Sequence, residues 1–501
     1  NPISIVMQDM IDLLDTHSLE KETEQLQGFY DSVKLRVEGI DNAAGKQKIV
    51  TELYEGFFSK AFPKAAESLG IVYTPIELVD FVLHATDHAL RKHFNGLSIS
   101  DEGIDVLDPF CGTGTFIVRL LQSGIIKPED FARKYQNELH SNEILLLAYY
   151  IAAINIESTY HDEITKEMSE REYEPFNGIV LTDTFQMGET GEGTGVFDVF
   201  PENNERADRQ KKTTIEVIVG NPPYSVGQTS QNDNNQNLSY ERLDESIFRT
   251  YKKESSAQLT RNLNDSYVRA FRFASDTVCS VEEGGIVSFV TNGGFIEGIA
   301  FDGFRKTLAN EFHHIYVYNL RGNTRTSGEQ ARKEGGQTFG SGSRATVAIT
   351  ILVKEPGPVP ETGATIHYKD IGDYLTREEK LGIVQNAADS NALDNVKWEK
   401  IKPNIYGDWV NQRNESFEKL IPLMSENDGP PGIFLSRTLG IASGNDSWIY
   451  GSSLASLKEI TNRMVKFFSG EIERFNKEHL NDPGTLKEKI RLVKNFVNKD
   501  K

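Results

Sequence analysis

The fold class of this chain is best indicated by the sequence Val106-Leu107-Asp108-Pro109-Phe110-Cys111-Gly112-Thr113-Gly114-Thr115-Phe116. Its apolar start predicts a buried strand, and the run that follows Gly114 predicts a helix. The two glycines between them let the backbone pass close to a ligand. A turn of this kind binds nucleotide-like ligands in doubly wound sheets. The third glycine of the dinucleotide fingerprint is Ile117 here, and a tight turn in an unrelated α/β protein is the alternative.

Short apolar runs alternate with helical ones from about residue 71 to 355, which predicts an α/β fold with a doubly wound sheet. The predicted strands are Asp105–Leu107, Gly178–Leu181, Val217–Val219, Ile286–Val290, Ile315–Tyr318 and Thr346–Val353. Long helices are predicted at Asn142–Ile156 and Tyr267–Val278. The polar stretches Ser225–Asn264 and Gly322–Ser343 are predicted as loops, the first as a lid over a site.

The chain of 501 residues is about three times as long as a typical domain of ~150 residues. Residues 1–70 show helical periodicity and predict a helical N-terminal region. Pro356, Pro358 and Pro360 indicate a linker. We therefore expect three parts, at 1–70, 71–355 and 356–501.

Composition gives weaker information about function. The formal net charge of −20 argues against a uniformly basic nucleic-acid-binding surface, although residues 458–501 lean basic. Two cysteines are too few for a disulfide framework, and no signal peptide is recognised, so we expect a cytoplasmic protein. No apolar run is long enough for a membrane span. We predict no metal site, and we interpret His313-His314 as the start of a strand.

A second motif, Asn221-Pro222-Pro223-Tyr224, follows the predicted strand Val217–Val219. Two prolines stiffen the backbone and remove two N–H donors, so their carbonyls stay available as acceptors. With the Asn221 amide oxygen and the Tyr224 ring, they suit a planar amine attached to a ring. Accepting both amine protons draws the nitrogen lone pair out of conjugation, so that it can attack a methyl group. A strand that merely ends in prolines is the alternative.

Together the two motifs resemble the amino-methyltransferases, whose hallmark is a cofactor loop of the Asp-Pro-x-x-Gly-x-Gly kind followed by Asn-Pro-Pro-Tyr. Their order resembles that of the γ class, in which a cofactor-contacting segment precedes the glycine loop. Tyr73-Thr74-Pro75 fits that segment. The resemblance covers roughly residues 71–355. It implies a Rossmann-like class I methyltransferase sheet and S-adenosyl-L-methionine as the cofactor.

The resemblance also assigns cofactor contacts to single residues. Glu143 would bind the ribose hydroxyls, with Glu138 as the alternative. Asp183 would accept the adenine amine of the cofactor, with a simple turn residue as the alternative. The glycine-loop contacts would come from Asp108, Pro109, Phe110, Gly112 and Gly114.

The implied reaction transfers the methyl group to N6 of an adenine that is flipped out of double-stranded DNA. Tyr224 and Phe339 would stack on the flipped base, and Phe295 and Phe301 are alternatives to Phe339. Cys111 lies inside the cofactor loop, which argues against chemistry at cytosine C5.

Three further runs, Ile71–Pro75, Leu147–Ala153 and Asp265–Phe271, resemble the single-polypeptide type I (type ISP) restriction–modification enzymes. In that family a nuclease and a helicase-like ATPase precede a helical coupler, the methyltransferase and a target-recognition domain. The resemblance implies that residues 1–70 end the coupler and that an α+β recognition portion begins near Gly440–Trp448.

Two other functions stay open on sequence alone. An RNA-adenine or protein-glutamine methyltransferase would use the same acceptor pocket. A catalytically idle DNA-binding module would keep the fold without the reaction. Chain length, motif order and the large C-terminal region favour DNA methylation.

Overall fold

The computed structural model describes residues 74–165, 173–189, 201–223, 240–257, 261–339, 345–410 and 453–479, and single positions between 412 and 434. Within these residues nine strands form one sheet in the order β3-β2-β1-β4-β5-β7-β6-β8-β9. The strands are β1 Val106–Asp108, β2 Leu139–Glu143, β3 Ile179–Leu181, β4 Val217–Gly220, β5 Gly285–Asn292, β6 His314–Arg321, β7 Val347–Lys354, β8 Thr365–Asp370 and β9 Glu399–Ile401.

Helices connect the strands and cover the sheet. The α-helices are α1 Ile76–His93, α2 Thr115–Gln122, α3 Phe131–Arg133, α4 Leu146–Thr165, α5 Thr184–Met187, α6 Pro201–Gln210, α7 Glu241–Ile247, α8 Ser266–Cys279, α9 Asp302–Glu311, α10 Gly328–Glu334, α11 Arg377–Asn386, α12 Ala392–Asn395 and α13 Leu454–His479. Short 3₁₀ turns lie at Pro128–Asp130, Arg261–Asn264, Gly293–Phe295 and Ile299–Phe301, and π turns at Lys134–Glu138 and Phe248–Lys252.

Strands β1 to β5 run parallel, and β7 enters antiparallel between β5 and β6. The chain moves outward from β1 to β3 and then returns to place β4 on the other side of β1. The strand order therefore reverses between β1 and β4. Ligands of open α/β sheets bind beyond the carboxyl ends of the strands at such a reversal.

Each face of the sheet has its own hydrophobic core. Side chains of α1, α2, α4, α11 and α12 pack on one face. Side chains of α5, α7, α8 and α9 pack on the other. Because both faces are covered, central strands such as β5 and β7 are buried along almost their whole length, which explains their continuous apolar sequences. The predicted doubly wound α/β fold is confirmed.

All six predicted strands are present, with ends shifted by at most a few residues. Strand β2 was missed because its sequence Leu-His-Ser-Asn-Glu is polar, although all five residues are buried. The predicted helix from Asn142 was therefore wrong at its start, since α4 begins at Leu146. Strands β8 and β9 were also missed.

Both predicted loops contain helices, so these predictions were wrong in part. Helix α7 and the π turn after it lie within Ser225–Asn264, where Leu243, Ile247 and Tyr251 are buried four residues apart. This spacing buries one face of a helix, and the surrounding polar residues concealed it. Helix α10 lies within Gly322–Ser343. Of the predicted lid, residues 225–239 and 258–260 lie outside the described residues.

The predicted linker at Pro356–Pro360 joins β7 to β8 of the same sheet, because β8 pairs with β6 and β9 pairs with β8. By its contacts the chain divides into two units, Asn1–Gln412 and Arg413–Lys501. Helix α13 lies in the second unit. The division at residue 356 and the recognition portion stay predictions. Among the described residues, no helix has the length and apolar character that crossing a bilayer requires.

Candidate active site at the carboxyl ends of β1 and β4

The described residues of the two sequence motifs lie next to each other. Asp108–Gly114 is called the first corner, and the motif that starts at Asn221 is called the second corner. Strands β1 and β4 are parallel neighbours, with Val106 paired to Val217. Asp108 ends β1 and Gly220 ends β4, directly before Asn221. A Cβ atom on Gly220 would lie 2.9 Å from Asp108 Oδ1. Any side chain at position 220 would force the Asp108 carboxyl group to shift, so the glycine favours this close approach of the two corners.

A hydrogen bond joins the second corner to the segment before α1. Asn221 Nδ2 donates to Thr74 Oγ1 at 2.7 Å, and Thr74 is buried. Pro75 follows as the N-cap of α1, and its carbonyl accepts the first helical N–H groups. The bond to Thr74 makes one end of the Asn221 amide the donor, so the orientation of the acceptor Oδ1 is fixed as well. Pro222 is buried and Pro223 is half-buried.

The glycine loop between β1 and α2 depends on two positive φ angles. Gly112 has a φ of +55°, and Gly114, the N-cap of α2, has a φ of +85°. A Cβ atom at Gly114 would lie 3.2 Å from the Ile156 side chain, so this glycine also permits close packing on α4. A Cβ atom at Gly112 would have no atom within 4 Å. The loop therefore presents Gly112 to open space, where a ligand can approach its backbone.

Neighbouring elements hold the loop backbone in place. The Cys111 amide donates to the Asn142 carbonyl of β2 at 2.9 Å. Asn155 of α4 donates from Nδ2 to the Thr113 carbonyl at 3.0 Å. Burial raises the pKa of the Cys111 thiol well above its usual value, so this side chain stays protonated at neutral pH.

Glu143 lies at the carboxyl end of β2, beside the same loop. Its Oε2 atom accepts the Gly112 amide at 2.9 Å, and its Oε1 atom accepts the Leu145 amide at 2.7 Å. The residue is buried, and this burial raises its pKa to about 7. A carboxyl group that is costly to ionise therefore faces the glycine loop.

Glu138, the alternative to Glu143, directly precedes β2. It therefore lies where the parallel strands begin, called the amino edge of the sheet, whereas Glu143 lies where they end, called the carboxyl edge. Its carboxylate accepts the Gly103 amide at 3.0 Å and forms ion pairs with Arg133 and Lys134. Lys134 is fully buried and donates to the Ile104 carbonyl. These contacts account for the buried carboxylate of Glu138 without a ligand. Of the two glutamates, Glu143 is the one that contacts the glycine loop.

Asp108 is the second buried carboxyl group of the site. Its Oδ1 atom accepts the Phe110 amide at 3.1 Å. Its Oδ2 atom is buried without a hydrogen-bond partner among the described residues. Burial raises the pKa of Asp108 to about 8, and the charge of Glu143 adds to the effect. Since a buried carboxylate needs a compensating partner, the corner suits a ligand with positive charge or with N–H and O–H donors.

Asp183 lies two residues after β3 and caps α5. Its Oδ1 atom accepts the Phe185 amide at 3.0 Å, and its Oδ2 atom accepts the Tyr240 hydroxyl at 2.7 Å. The Phe185 ring lies between Phe110 of the glycine loop and Tyr240, with centroid distances of 5.4 and 5.3 Å. Thr184 of the same helix donates its hydroxyl to the Pro109 carbonyl. The predicted role of Asp183 toward the cofactor adenine stays a prediction.

The aromatic residues proposed to stack on a base are buried where the structure describes them. Phe339 is 1% exposed and packs in the core that contains α1 and α2. Phe295 and Phe301 lie in the core on the other face. Tyr73 and Tyr224 lie outside the described residues. The stacking roles therefore stay predictions.

Sequence reasoning missed the contacts that connect separate elements. Thr74 was predicted as a cofactor contact, but its bond to Asn221 spans 147 residues. Neither Asn155 nor Tyr240 was assigned a role from the sequence. No local pattern marks such partners, because their roles depend on which strands become neighbours.

Two family models match this chain. Residues 1–45 match the coupler domain of type ISP restriction–modification enzymes. Residues 45–261 match the N-6 DNA methylase family. The second match includes both motifs, the segment before α1 and strands β1 to β4. A comparison with curated proteins found no match.

Solved structures give the same result over a longer range. A nuclease-deletion mutant of the type ISP restriction–modification enzyme LlaGI, in complex with a DNA substrate mimic, is 43% identical to this chain with a TM-score of 0.78. The ATP-dependent type ISP enzyme LlaBIII bound to DNA is 41% identical with a TM-score of 0.79. A DrdV–DNA complex is 34% identical with a TM-score of 0.76.

These three alignments cover 100%, 99% and 91% of this chain but only 38%, 32% and 43% of the solved chains. The chain therefore spans less than half the length of the proteins it resembles. The coupler match, the methylase match and the arrangement of the two corners all point to the same family. This chain belongs to the type ISP restriction–modification family and carries its N-6 DNA methylase region.

Proposed function

We propose that this chain is a site-specific DNA methyltransferase that transfers a methyl group from S-adenosyl-L-methionine to N6 of a flipped-out adenine. The products are S-adenosylhomocysteine and, after the amine loses one proton, N6-methyladenine. The observation that carries this proposal is the position of the two corners at the ends of neighbouring parallel strands, where Gly220, the residue before Asn221, lies close to the Asp108 side chain. This pair of corners lies where the strand order reverses, the usual ligand position in such sheets. The match to the N-6 DNA methylase family supports the same reaction.

The buried groups at the first corner fit the proposed cofactor. S-adenosyl-L-methionine has an ammonium group, a sulfonium group and ribose hydroxyls, and when bound it supplies an electrophilic methyl group. Asp108 has a buried oxygen without a hydrogen-bond partner among the described residues, and Glu143 is a second buried carboxyl. A nearby cation or hydroxyl donor lowers the cost of ionising both groups. Asp108 and Glu143 would therefore hold the cofactor, and Gly112 leaves room for it.

The second corner would activate the adenine amine. Asn221 Oδ1 and the Pro222 carbonyl would accept the two amine protons, which draws the nitrogen lone pair out of the ring system. Thr74 holds the donor end of the Asn221 amide, so the acceptor end does not have to reorganise when the base arrives. Preorganised polar groups of this kind stabilise charge that develops during a reaction.

The target base must leave the duplex before it reaches this corner. Flipping costs a few kcal/mol, and stacking on aromatic side chains returns roughly 1–3 kcal/mol per contact. We assign this stacking to Tyr224 and Phe339. Because Phe339 is buried in the described structure, its ring would have to become accessible when DNA binds.

We further infer that the chain acts on double-stranded DNA within a longer cytoplasmic polypeptide. The coupler match at residues 1–45 supports a connection to other domains. The solved relatives are DNA complexes of proteins more than twice as long. Nuclease and helicase-like domains of the same polypeptide are the proposed partners.

The test is incubation with labelled S-adenosyl-L-methionine and, separately, duplex DNA, ribosomal RNA or cellular protein. We expect label in DNA, as N6-methyladenine by mass spectrometry. Asn221→Ala should lower this label by about 10²-fold or more, while calorimetry still detects cofactor binding. Label only in RNA or protein would refute the DNA assignment. Cofactor and DNA binding without any methyl transfer would indicate the idle module.

A further inference from the structure

A cluster of histidines lies at the amino edge of the sheet, opposite the candidate active site. His93 ends α1, His314 begins β6, and Glu355 directly follows β7. Because β7 runs antiparallel to β5 and β6, its carboxyl end lies beside their amino ends. The sheet therefore brings together residues that are up to 262 positions apart.

Contrary to the expectation from the sequence that the chain has no metal site, we propose that His93, His314 and Glu355 form a binding site for one divalent transition-metal ion, with Zn²⁺ as the best fit. Glu355 Oε1 lies 2.9 Å from His93 Nδ1 and 3.2 Å from His314 Nε2. The three candidate ligand atoms all lie within 4.8 Å of one another. Two donors at the usual ~2.05 Å from tetrahedral Zn²⁺ are about 3.3 Å apart. An ion therefore fits after small side-chain adjustments.

The ligand set suits this ion. Two imidazoles and one carboxylate occur in zinc sites that keep a fourth position for water. His93 is nearly buried, whereas the side chains of His314 and Glu355 are 25% and 31% exposed. Solvent can therefore reach the cluster from one side and supply the fourth ligand. The carboxylate also provides one negative charge toward the cation.

A hydrogen bond from outside the cluster orients one ligand. His93 Nε2 lies 3.1 Å from the Tyr316 hydroxyl. If this nitrogen carries the proton and donates to Tyr316, the lone pair of His93 is on Nδ1, the atom that faces Glu355. Metal-binding histidines commonly have such a partner on their other nitrogen. The Glu355 amide donates to His313 Nδ1 at 3.1 Å, which fixes the backbone of the third ligand.

The cluster can exist with or without an ion. Without a metal, the same three groups can form a triad in which both rings donate to Glu355. The experiment has to separate these two states.

The location indicates a structural role. Helix α1 has 18 residues and spans about 27 Å at 1.5 Å per residue. Thr74, just before this helix, bonds to Asn221, whereas His93 is its last residue. An ion bound there would link the end of α1 to the start of β6 and to the residue after β7, far from the second corner that contains Asn221.

The test uses the full 501-residue chain after treatment with a chelator. Titration with Zn²⁺ should show one ion per chain at micromolar affinity or tighter. Co²⁺ should develop the visible absorption of a four-coordinate site. His314→Ala and Glu355→Gln should each weaken Zn²⁺ binding at least about 100-fold, and Tyr316→Phe by about tenfold, within the range for an outer partner.

His161→Ala is the matched control, because His161 lies on α4 and bonds to the Glu174 backbone outside the cluster. Its affinity for Zn²⁺ should equal that of the wild type. Glu355→Gln keeps the size of the side chain and an acceptor oxygen, so it tests the site even if His314→Ala fails to fold. The proposal is overturned if the wild type binds no Zn²⁺, or if Glu355→Gln binds it as tightly as the wild type.

Discussion

The two edges of the sheet differ in how the sequence encodes them. At the carboxyl edge, each corner is a contiguous motif, Asp108–Gly114 and Asn221–Tyr224. At the amino edge, His93, His314 and Glu355 come from three separate segments. Contiguous motifs are visible because tight turns require glycine and proline. A site assembled from single residues becomes visible only when the strand order is known.

The two corners of the carboxyl edge also differ from each other. The glycine loop is held by hydrogen bonds from β2, α4 and α5. The Asn221 corner is stiffened by its prolines and is oriented through Thr74. We therefore expect substitutions at the first corner to change cofactor binding, and substitutions at the second to change turnover.

The largest expected effect tests the second corner. Asn221→Ala should lower methyl transfer to duplex DNA about 10²–10³-fold or more, because it removes a preorganised polar group at the reacting amine. Single-turnover kinetics with saturating cofactor measure this loss. A weakened cofactor affinity with unchanged single-turnover rate would contradict the division between the corners.

The next largest effect is the pH dependence of cofactor affinity, which tests the first corner. In the free protein the pKa values of Asp108 and Glu143 are raised to about 8 and about 7. A cationic cofactor favours the ionised forms, so binding releases protons. Affinity should rise with pH, by about tenfold per pH unit where one proton is released, and level off above about pH 8.

Calorimetry from pH 6 to pH 9 measures this dependence. Asp108→Asn cannot ionise at that position, so it should bind the cofactor more weakly and with a shallower pH dependence. An affinity that falls as pH rises would show that the cofactor prefers the protonated carboxyl groups, against the proposed electrostatics.

A smaller effect tests the hydrogen bond between Thr74, in the segment before α1, and Asn221 of the second corner. Thr74→Val keeps the shape of the side chain but removes the acceptor of Asn221 Nδ2. Losing one such hydrogen bond is worth about 1 kcal/mol, so turnover should fall about fivefold. Thr74→Ser restores the hydroxyl and should recover most of the rate. Equal rates for the valine and serine variants would rule out the orienting role.

The smallest effect compares two glycines of one loop. Gly114→Ala should lower the free energy of unfolding by about 1–2 kcal/mol, since its φ is +85° and its Cβ would crowd Ile156. Gly112→Ala should cost about 1 kcal/mol from backbone strain alone yet weaken cofactor binding more, because its Cβ points into open space. Urea denaturation and cofactor titration of both variants measure the difference.

The turns at the carboxyl edge could be predicted from the sequence because their glycine and proline residues restrict the local backbone conformation. Strand β1, strand β4 and the turns after them follow from apolar runs that end in glycine or proline. Strand β2 escaped prediction because Leu139–Glu143 is polar, and its pairing with β1 and β3 is what buries it. The same error placed Glu143 on a helix, although its proximity to Gly112 depends on the strand.

Local backbone preferences and apolar periodicity were enough to predict the doubly wound fold and the two corners, and the motifs were enough to recognise the family. Only the folded chain shows that Thr74 meets Asn221, that the Tyr240 hydroxyl donates to Asp183 and that two histidines meet Glu355. These contacts join positions far apart in the chain. Their distances are set by strand order and helix packing, which no single segment encodes.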